Sequence, residues 1–495
     1  MNIIDRTIAL VSPKTAMRRV ANRAKAQMID MHTRRYEGGA YGHRHSGFHV
    51  KVDQSPNELI HQDLKNLVTR SRYLSINNPY AKRAPKIIAN NVVGTGILPT
   101  PVGEKEEVDR INAAWRSWGE SLECDFNGDF NFYGLQKLIM RTIVISGEAL
   151  IIRKRVKSDI SRLGIQLLVL EGDYIDQTKH NYWSGGYGKG HYDYYGIRYN
   201  EDNKKTGYWI YDRHPLEGNI QSSFVPIEDI IHIFEVERSG QNRGVPFSSS
   251  TILKQRDLDD YEDAEILGKK AASCMPIFVT NNDLEGSSNG FDDKVEHLEP
   301  GTINYLKPGE SVSFAQPPQN PGFSEFIKTQ HRAIANGYGV TYEQLTGDLS
   351  NVNFSSARLG WIEFQRMVDD WQYLLIIPKF CEKAYKWFLE ACRIALGTRS
   401  DVQVNWTAPR REMIDPVKEI NGMKNMVRAG FTSWQEVVKQ QGYNPEEVLR
   451  ELREDQKKFM DAGLMPEWSQ FFETMAMLEV EKEKTARSKY TSTQQ

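Results

Sequence analysis

From Phe354 onward the apolar residues fall at Phe354, Ala357, Trp361, Phe364, Val368, Trp371 and Leu375, at intervals that alternate three and four. That spacing keeps one side of an α-helix apolar over many turns and does not fit a strand, whose buried side repeats every second residue. Pro378 then interrupts the seam, which resumes one residue out of step at Cys381, Tyr385, Phe388 and Cys392. A proline inside a helix removes a donor and clashes with the preceding turn, so the spacing predicts one long helix over 354–396, kinked near Pro378. Just ahead of it, Gly347 breaks the preceding pattern. Asp348, Ser350, Asn351 and Asn353 then place short polar side chains at the start of the rigid element, each able to bond its own backbone or a ligand. Such a loop is either an ordinary helix N-terminus or something held out to touch a partner.

The remainder of the chain alternates between regimes. Residues 1–50 are basic and end in a Gly- and His-containing stretch, an arm expected to order against neighbours. Residues 56–93 have helical spacing, with Leu64, Leu67, Val68, Ala81, Ile87 and Ile88 as buried positions, and "VVGTGILPTP" closes them. Between 130 and 250 the period changes. "NFYGLQKLIMRTIVISG" predicts a helix ending at Gly147, and "EALIIRKRV" and "IQLLVLEG" predict strands. "YGIRYN" and "YWIYDR" predict a hairpin, and "IEDIIHIFEVER" one more strand. This is a mixed α+β body. Residues 250–273 form a helix with a thin apolar stripe, acids in its first half, and Lys269 and Lys270 near its end, a polarity that suits the helix dipole. "MPIFVTNN" and "GTINYLKPGESVSF" predict strands with a turn at Pro308-Gly309, and "SEFIKTQHRAIANGYG" predicts the helix that leads to the loop. "NWTAPRREMIDPVKE" is irregular and bounded by prolines. The C-terminal part is helical, with a capping box at Ser433 and Glu436 and a cap-plus-proline at Asn444-Pro445. The last fifteen or so residues are charged and polar.

A chain of 495 residues is too long for one ordinary core. A net charge of −2 excludes a protein coated in basic surface to hold nucleic acid, though not one with local patches. Aromatic side chains at 11% suit large packed interfaces as well as cores. The cysteines Cys124, Cys274, Cys381 and Cys392 form no CxxC pair and are expected to be reduced thiols. No apolar run approaches the ~18 residues a membrane helix needs, and the N-terminus makes a poor signal peptide.

The sequence carries no pattern expected of a catalytic site, a metal site or a bound cofactor. Phosphate-loop, dinucleotide, nucleophile-elbow and HExxH patterns are absent. His43, His45 and His49 are read as a solvated loop rather than metal ligands. Asp173 and Asp176 are read as turn-formers at a strand end. The acids from Asp257 to Glu265 fan around a helix axis, and no turn converges them on an ion.

At the level of longer strings the chain becomes recognisable. "NNPYAKRAPKIIANNVVGTGI", "RGVPFSSSTILKQRDLDDYEDAE" and "YGVTYEQLTGDLSNVNFSSARLGWIEF" resemble the portal proteins of tailed double-stranded DNA bacteriophages, lambda-type family. "WTAPRREMIDPVKE" and "AGFTSWQEVVKQQGYNPEEV" extend the likeness, which runs in order from about residue 30 to 465. The resemblance implies a ring of normally twelve subunits at one capsid vertex, through which a terminase packages the genome and from which DNA is ejected. It implies a wing at 51–249, a stem helix at 250–274, a clip at 275–322 and a second stem helix at 323–338. A tunnel loop at 339–353, the kinked helix at 354–396, a wing return at 397–420 and a C-terminal crown and polar tail at 421–495 follow. The implied partners are further copies of the chain, double-stranded DNA passing without sequence specificity, the terminase large subunit, the major capsid or scaffold protein and head-completion proteins, with no membrane. The implied location is the virion, after assembly in the host bacterial cytoplasm. On this reading Asp348, Ser350, Asn351 and Asn353 are tunnel-loop contacts for DNA, and Lys269, Lys270 and Lys328 are stem-channel charges. The alternatives are another ring-forming tail or baseplate protein, which should lack the insertion between two stem-like helices, and a nucleic-acid-processing enzyme, which needs a metal or nucleotide site.

Overall fold

The computed structural model describes residues 55–180, 191–218, 220–273, 277–281, 310–314, 322–350, 352–399, 401–409, 413 and 415–463. The basic arm with His43, His45 and His49, the turn at Pro308-Gly309 with the strand before it, Cys274 and Asn351 lie outside them. Of the first compact unit, Met1–Gln62, only the start of the first helix is described; the fold proper is built in Asp63–Gln495.

The helical stretch expected over 56–93 is two helices, α1 (Pro56–Asn77) and α2 (Pro79–Val92). Asn78 makes the break. Its side chain accepts from the Tyr80 and Ala81 N–H groups, and Pro79 fills the first position, where no donor is required. Leu64, Val68, Ala81 and Ile88 are buried as expected, whereas Leu67 and Ile87 are half-buried. Ala84, Pro85 and Ala89 complete the buried side of α2.

Two elements that local pattern did not reveal follow. Strand β1 (Leu98–Val102) precedes helix α3 (Lys105–Trp118). β1 pairs antiparallel with β11 (Gln403–Thr407), Pro99 opposite Trp406 and Pro101 opposite Val404. A two-stranded ribbon has only edges, which is why it tolerates two prolines. The segment "NWTAPRREMIDPVKE", expected to be irregular, therefore begins inside a strand.

Helix α4 (Phe132–Ser146) is capped by Asn131 and ends at Gly147, as its sequence predicts. Gly147 has φ +88°, and a Cβ there would stand 2.5 Å from the Val245 backbone, so position and conformation both demand glycine. The chain turns directly into β2 (Glu148–Arg155), the centre of an antiparallel three-stranded sheet with β3 (Ile165–Glu171) and β8 (Ile230–Phe234). Ile151 faces Val169 on one side and Ile231 on the other. The expected strand at 227–238 is shorter than its apolar run, because residues 227–229 form a 3₁₀ turn. The expected hairpin is β5 (Ile197–Tyr199) and β6 (Lys205–Tyr211), inside a second sheet ordered β4 (Tyr192–Tyr194), β5, β6, β7 (Ser222–Pro226). Ile197, Tyr208 and Ile210 of this sheet bury against Leu150, Ile152 and Ile230.

Helix α5 (Ile252–Ser273) leads to β9 (Ile277–Asn281), which pairs antiparallel with β10 (Glu310–Phe314). Helices α6 (Phe323–Tyr338) and α7 (Tyr342–Thr346) follow. The long seam is α8 (Phe354–Asp370), a π-helical stretch over Trp371–Cys381, and α9 (Glu382–Leu396). Its register slip has a direct cause: the Glu382 N–H donates to the Ile377 carbonyl five residues back, and the buried face steps from Leu375 to Phe380 across the wider turn. Pro378 sits inside that stretch with its ring exposed. Below it lies the aromatic core. Trp118 stacks on Phe388 at 5.4 Å, Phe132 on Phe380 at 5.1 Å, and Trp115 meets Phe388 edge-on at 5.0 Å. Each such fully buried side chain contributes roughly 1.5–3 kcal/mol, so this cluster ties α3, α4 and α9 into one body.

Helices α10 (Pro416–Arg428), α11 (Trp434–Gln440) and α12 (Pro445–Asp461) complete the described chain. Ser433 accepts from the Glu436 N–H and Asn444 from the Glu446 N–H, the two starts predicted from sequence. Asp415 caps α10 in the same way. Cys124, Cys381 and Cys392 are buried free thiols, and burial pushes each thiol pKa up, that of Cys124 to about 12. No described helix is long and apolar enough to cross a membrane.

Candidate functional site

The loop ahead of α8 is rooted more firmly than its sequence predicts. α6 ends at Gly339 (φ +71°), and the chain re-enters a helix at once through a capping box between Thr341 and Gln344. Val340 and Leu345 are buried, so the first half of 339–353 is packed protein. Only from Gly347 (φ +77°) does the segment project.

Asp348 organises what projects. Its Oδ1 accepts from the Ser350 hydroxyl at 2.6 Å and the Ser350 N–H at 3.0 Å, and its Oδ2 accepts from the Tyr342 hydroxyl at 3.0 Å. The Ser350 bonds, then Tyr342, then the charge of Lys328 hold the Asp348 carboxyl down at about 2. Lys328 of α6, read from the sequence as a stem-channel charge rather than a loop residue, thus lies within electrostatic reach of Asp348. Ser350 and Asn353 are exposed, and Leu349 presents an apolar tip at 67% exposure.

Two cations that the sequence did not single out complete the surroundings. The Arg83 Nε of α2 donates to the Gln344 carbonyl at 2.9 Å, and a Cβ on Gly347 would stand 3.4 Å from the Arg83 guanidinium. The Arg332 guanidinium lies 5.5 Å from the centre of the Tyr342 ring. The loop itself contains no base, yet Arg83, Lys328 and Arg332 gather at its root, where they can attract a phosphate by charge without reading a base. Arg83 lies far away in sequence, so no local motif could have pointed to it.

The other predicted charges sit elsewhere. Lys269 pairs with Glu265 at 3.6 Å and lies 4.8 Å from the Phe323 ring centre, so α5 and α6 meet through it. Lys270 is exposed at the end of α5. Within the acidic run, Asp259 accepts from Asn78 at 2.7 Å and Asp260 pairs with Arg256 at 3.1 Å. Asp173 pairs with Arg72. Asp176 accepts from Thr178, the local turn bond expected of it, and also from Tyr211 and Ser222, so beyond its turn it ties β6 and β7 to the end of β3. Among the described residues no His, Cys, Asp and Glu cluster is arranged to hold a metal ion.

A buried polar knot that no local motif announces lies at the start of β2. Glu148, at the first position of β2, accepts from Arg243 at 2.9 Å, from the Gly244 N–H at 2.8 Å, and meets His232 Nε2 at 3.0 Å. Burial opposes the charge on Glu148, but the Arg243 guanidinium and His232 hold its carboxyl well below the usual range. Burial pushes His232 down to about 4 despite Glu148, so the ring is neutral at pH 7. Every member is inside the protein, and the knot ties the turn after α4 to the approach to α5. Beside it, Lys379 donates to the Phe234 carbonyl, and Lys383 to the Ile227 and Ile230 carbonyls, along the free edge of β8. An open cleft of about 460 Å³ lies next to Lys383, lined by Arg153, Glu228, Pro378, Trp387 and Glu390 among others. The long helix is therefore keyed to the sheet through its π-helical stretch.

Comparison with known proteins decides what this frame belongs to. Residues 41–372, two thirds of the chain, match the family described as phage portal protein, lambda family. The chain belongs to the lambda family of phage portal proteins. A probable portal protein of Halomonas phage phiHAP-1 is 23% identical over 82% of this chain and 83% of its own length. Portal protein B of Escherichia phage lambda is 23% identical over 55% of this chain and 59% of its own length. A chain solved in the neck of an empty GTA particle, computed with C6 symmetry, is 15% identical over 77% of this chain and 94% of that chain, with a TM-score of 0.47. The portal family match ends at residue 372, inside the π-helical stretch, so it includes α5, α6, the loop and α8 but not the helices beyond 416.

Proposed function

We propose that this portal protein closes into a ring of about twelve copies at one capsid vertex, and that genomic DNA passes through the ring during packaging and ejection. The reading makes the chain a structural conduit and not an enzyme; the energy for packaging comes from a terminase that docks on it. The observation that carries it is the family match across the segment containing α5, the β9–β10 ribbon, α6 and the projecting loop. On this reading 51–249 is the wing, α5 and α6 are the stem, and 275–322, with its ribbon, is the clip that meets terminase and later the head-completion proteins. Residues 397–420 return to the wing and 421–495 form the crown. The ring sits in the virion, against the capsid or scaffold protein, after assembly in the bacterial cytoplasm.

The loop then serves as the narrow part of the channel. Asp348 is already engaged by Ser350 and Tyr342, so the side chains assigned to DNA are Ser350, Asn351 and Asn353, and the cations Arg83, Lys328 and Arg332 gather near the root of the loop. Hydrogen bonds of this kind grip weakly and without regard to sequence, as a sliding duplex requires. Lys269 and Lys270 are assigned to the stem channel on the same reading.

Negative-stain electron microscopy of the purified full chain, with its mass measured in parallel, tests the proposal. Closed rings of about a dozen subunits with an axial hole wide enough for duplex DNA are expected. A monomer or a two-fold dimer at every salt and protein concentration would remove the channel and the roles derived from it.

A further inference from the structure

Helix α2 has two sides. Ala81, Ala84, Pro85, Ile88, Ala89 and Val92 are buried, and the opposite side exposes Lys82, Arg83, Lys86 and Asn90. The exposed stripe holds no acid, because Pro79–Val92 contains none. Elsewhere in the protein, exposed helical cations are matched by an acid three or four residues away: Arg256 by Asp260, Lys269 by Glu265, Arg366 by Glu363 and Arg450 by Glu447. Among the described residues no acid pairs with Lys82, Arg83 or Lys86. In a chain of net charge −2, a solvent-facing stripe of one sign is a local concentration of charge that composition does not account for. The stripe also has a fixed place. Arg83 donates to the Gln344 carbonyl and lies against Gly347, so the stripe starts at the root of the projecting loop. Lys328 and Arg332 of α6 reach the same loop at Asp348 and Tyr342.

We propose that the exposed side of α2 is a second contact surface for duplex DNA, on which Lys82 and Lys86 bind backbone phosphates beside the loop. Four helical residues advance about 6 Å, and one strand presents a phosphate every ~3.4 Å of duplex axis, so both ammonium groups reach the same strand. Asn90, one turn further on, offers a neutral donor to a phosphate or sugar oxygen. A lysine on its flexible stem neutralises a phosphate without reading a base, so the surface serves any sequence. The inference rests on the reading of the loop as part of a DNA channel, and it extends the contact from the loop to a rigid helix.

Binding of the full chain to a short fluorescent duplex of arbitrary sequence, measured from low to physiological salt, tests the surface. Three proteins are compared: wild type, Lys82→Gln with Lys86→Gln, and Lys105→Gln with Arg116→Gln. The last pair removes the same charge from the exposed side of α3. Arg83 is left in place because it also holds the loop. The α2 pair should weaken binding at low salt and make the plot of log K against log salt shallower by about 1.8, two phosphate contacts at ~0.9 each, or by a multiple of that where several subunits touch the duplex. The α3 pair should leave both unchanged. Equal losses in the two pairs, or no loss in the α2 pair, overturn the contact. An α2 pair that binds DNA normally but forms rings only at higher protein concentration overturns it in favour of an acidic face on another copy of the chain. Wild-type rings that bind no duplex at low salt also overturn it. Wild-type protein that never forms rings fails the ring reading itself, and microscopy of the same samples tells these last two results apart.

Discussion

The Arg83 Nε on α2 donates to the carbonyl of Gln344 at 2.9 Å, joining two residues 261 positions apart at the root of the projecting loop. That bond holds the C-terminal end of α7 in place, and α7 is what aims Gly347 and the residues beyond it. A loop that touches a moving partner needs such a fixed base, because a mobile base would lose its geometry at every contact.

Arg83→Ala is expected to loosen the loop without unfolding the protein. A net hydrogen bond of this kind contributes about 0.5–1.5 kcal/mol. Hydrogen exchange should rise across residues 344–350 while the aromatic core keeps its protection. Equal loss of protection in both places would show that Arg83 supports the whole fold instead.

The bonds from Ser350 and Tyr342 favour the ionised form of Asp348 and weaken when it is protonated. Its folded pKa of about 2 lies below its ordinary value, so the anchor is present above the ordinary range and is lost as pH falls through about 2. Asp348→Ala should reproduce that loss at pH 7, giving faster proteolysis between Gly347 and Asn353 with an unchanged Tm. A large drop in Tm would contradict a local role.

The knot at Glu148 should cost far more to break. Glu148→Gln leaves Arg243 buried without its counter-charge, and breaking a buried pair costs about 3–5 kcal/mol. Denaturant unfolding measures it directly. A loss below about 1 kcal/mol, the range of an exposed pair, would place the knot in solvent.

The same knot sets a pH dependence. The folded protein holds His232 neutral down to about 4, whereas in the unfolded chain it takes up a proton near 6.5. Between these values the unfolded state binds the extra proton, so stability falls as pH drops from 6.5 towards 4. Glu148, held ionised by Arg243, acts in the same direction once pH falls below the ordinary glutamate range. Tm measured from pH 7 to pH 5 should decline, and less steeply in His232→Gln.

Lys383 caps the open edge of β8 through the Ile227 and Ile230 carbonyls. Lys383→Met would leave both carbonyls without that donor, at a cost of about 1–3 kcal/mol, whereas Lys386→Met on the exposed side should be near neutral. Calorimetry of the two variants separates edge capping from a general effect of charge.

Local chemistry alone determined much of this protein. The three-four seam from Phe354, its slip past Pro378, the left-handed stop at Gly147, the caps at Ser433 and Asn444, and the hairpin around 197–211 each arise from residues a few positions apart. Periodicity and capping are short-range effects, so they are written in short strings. The slip was legible as a break in spacing, but its resolution into a π-helical turn required packing, because Leu375 and Phe380 have to meet the same core. Tertiary structure alone decided the pairing of β1 with β11, the assembly of Glu148, His232 and Arg243, and the approach of Arg83 and Arg332 to a loop that carries no base. All but the Arg332–Tyr342 pair, ten positions apart, join residues whose partners are tens or hundreds of positions away. Their sequence spacing carries no period, and only chain folding brings the charges close enough to act on one another.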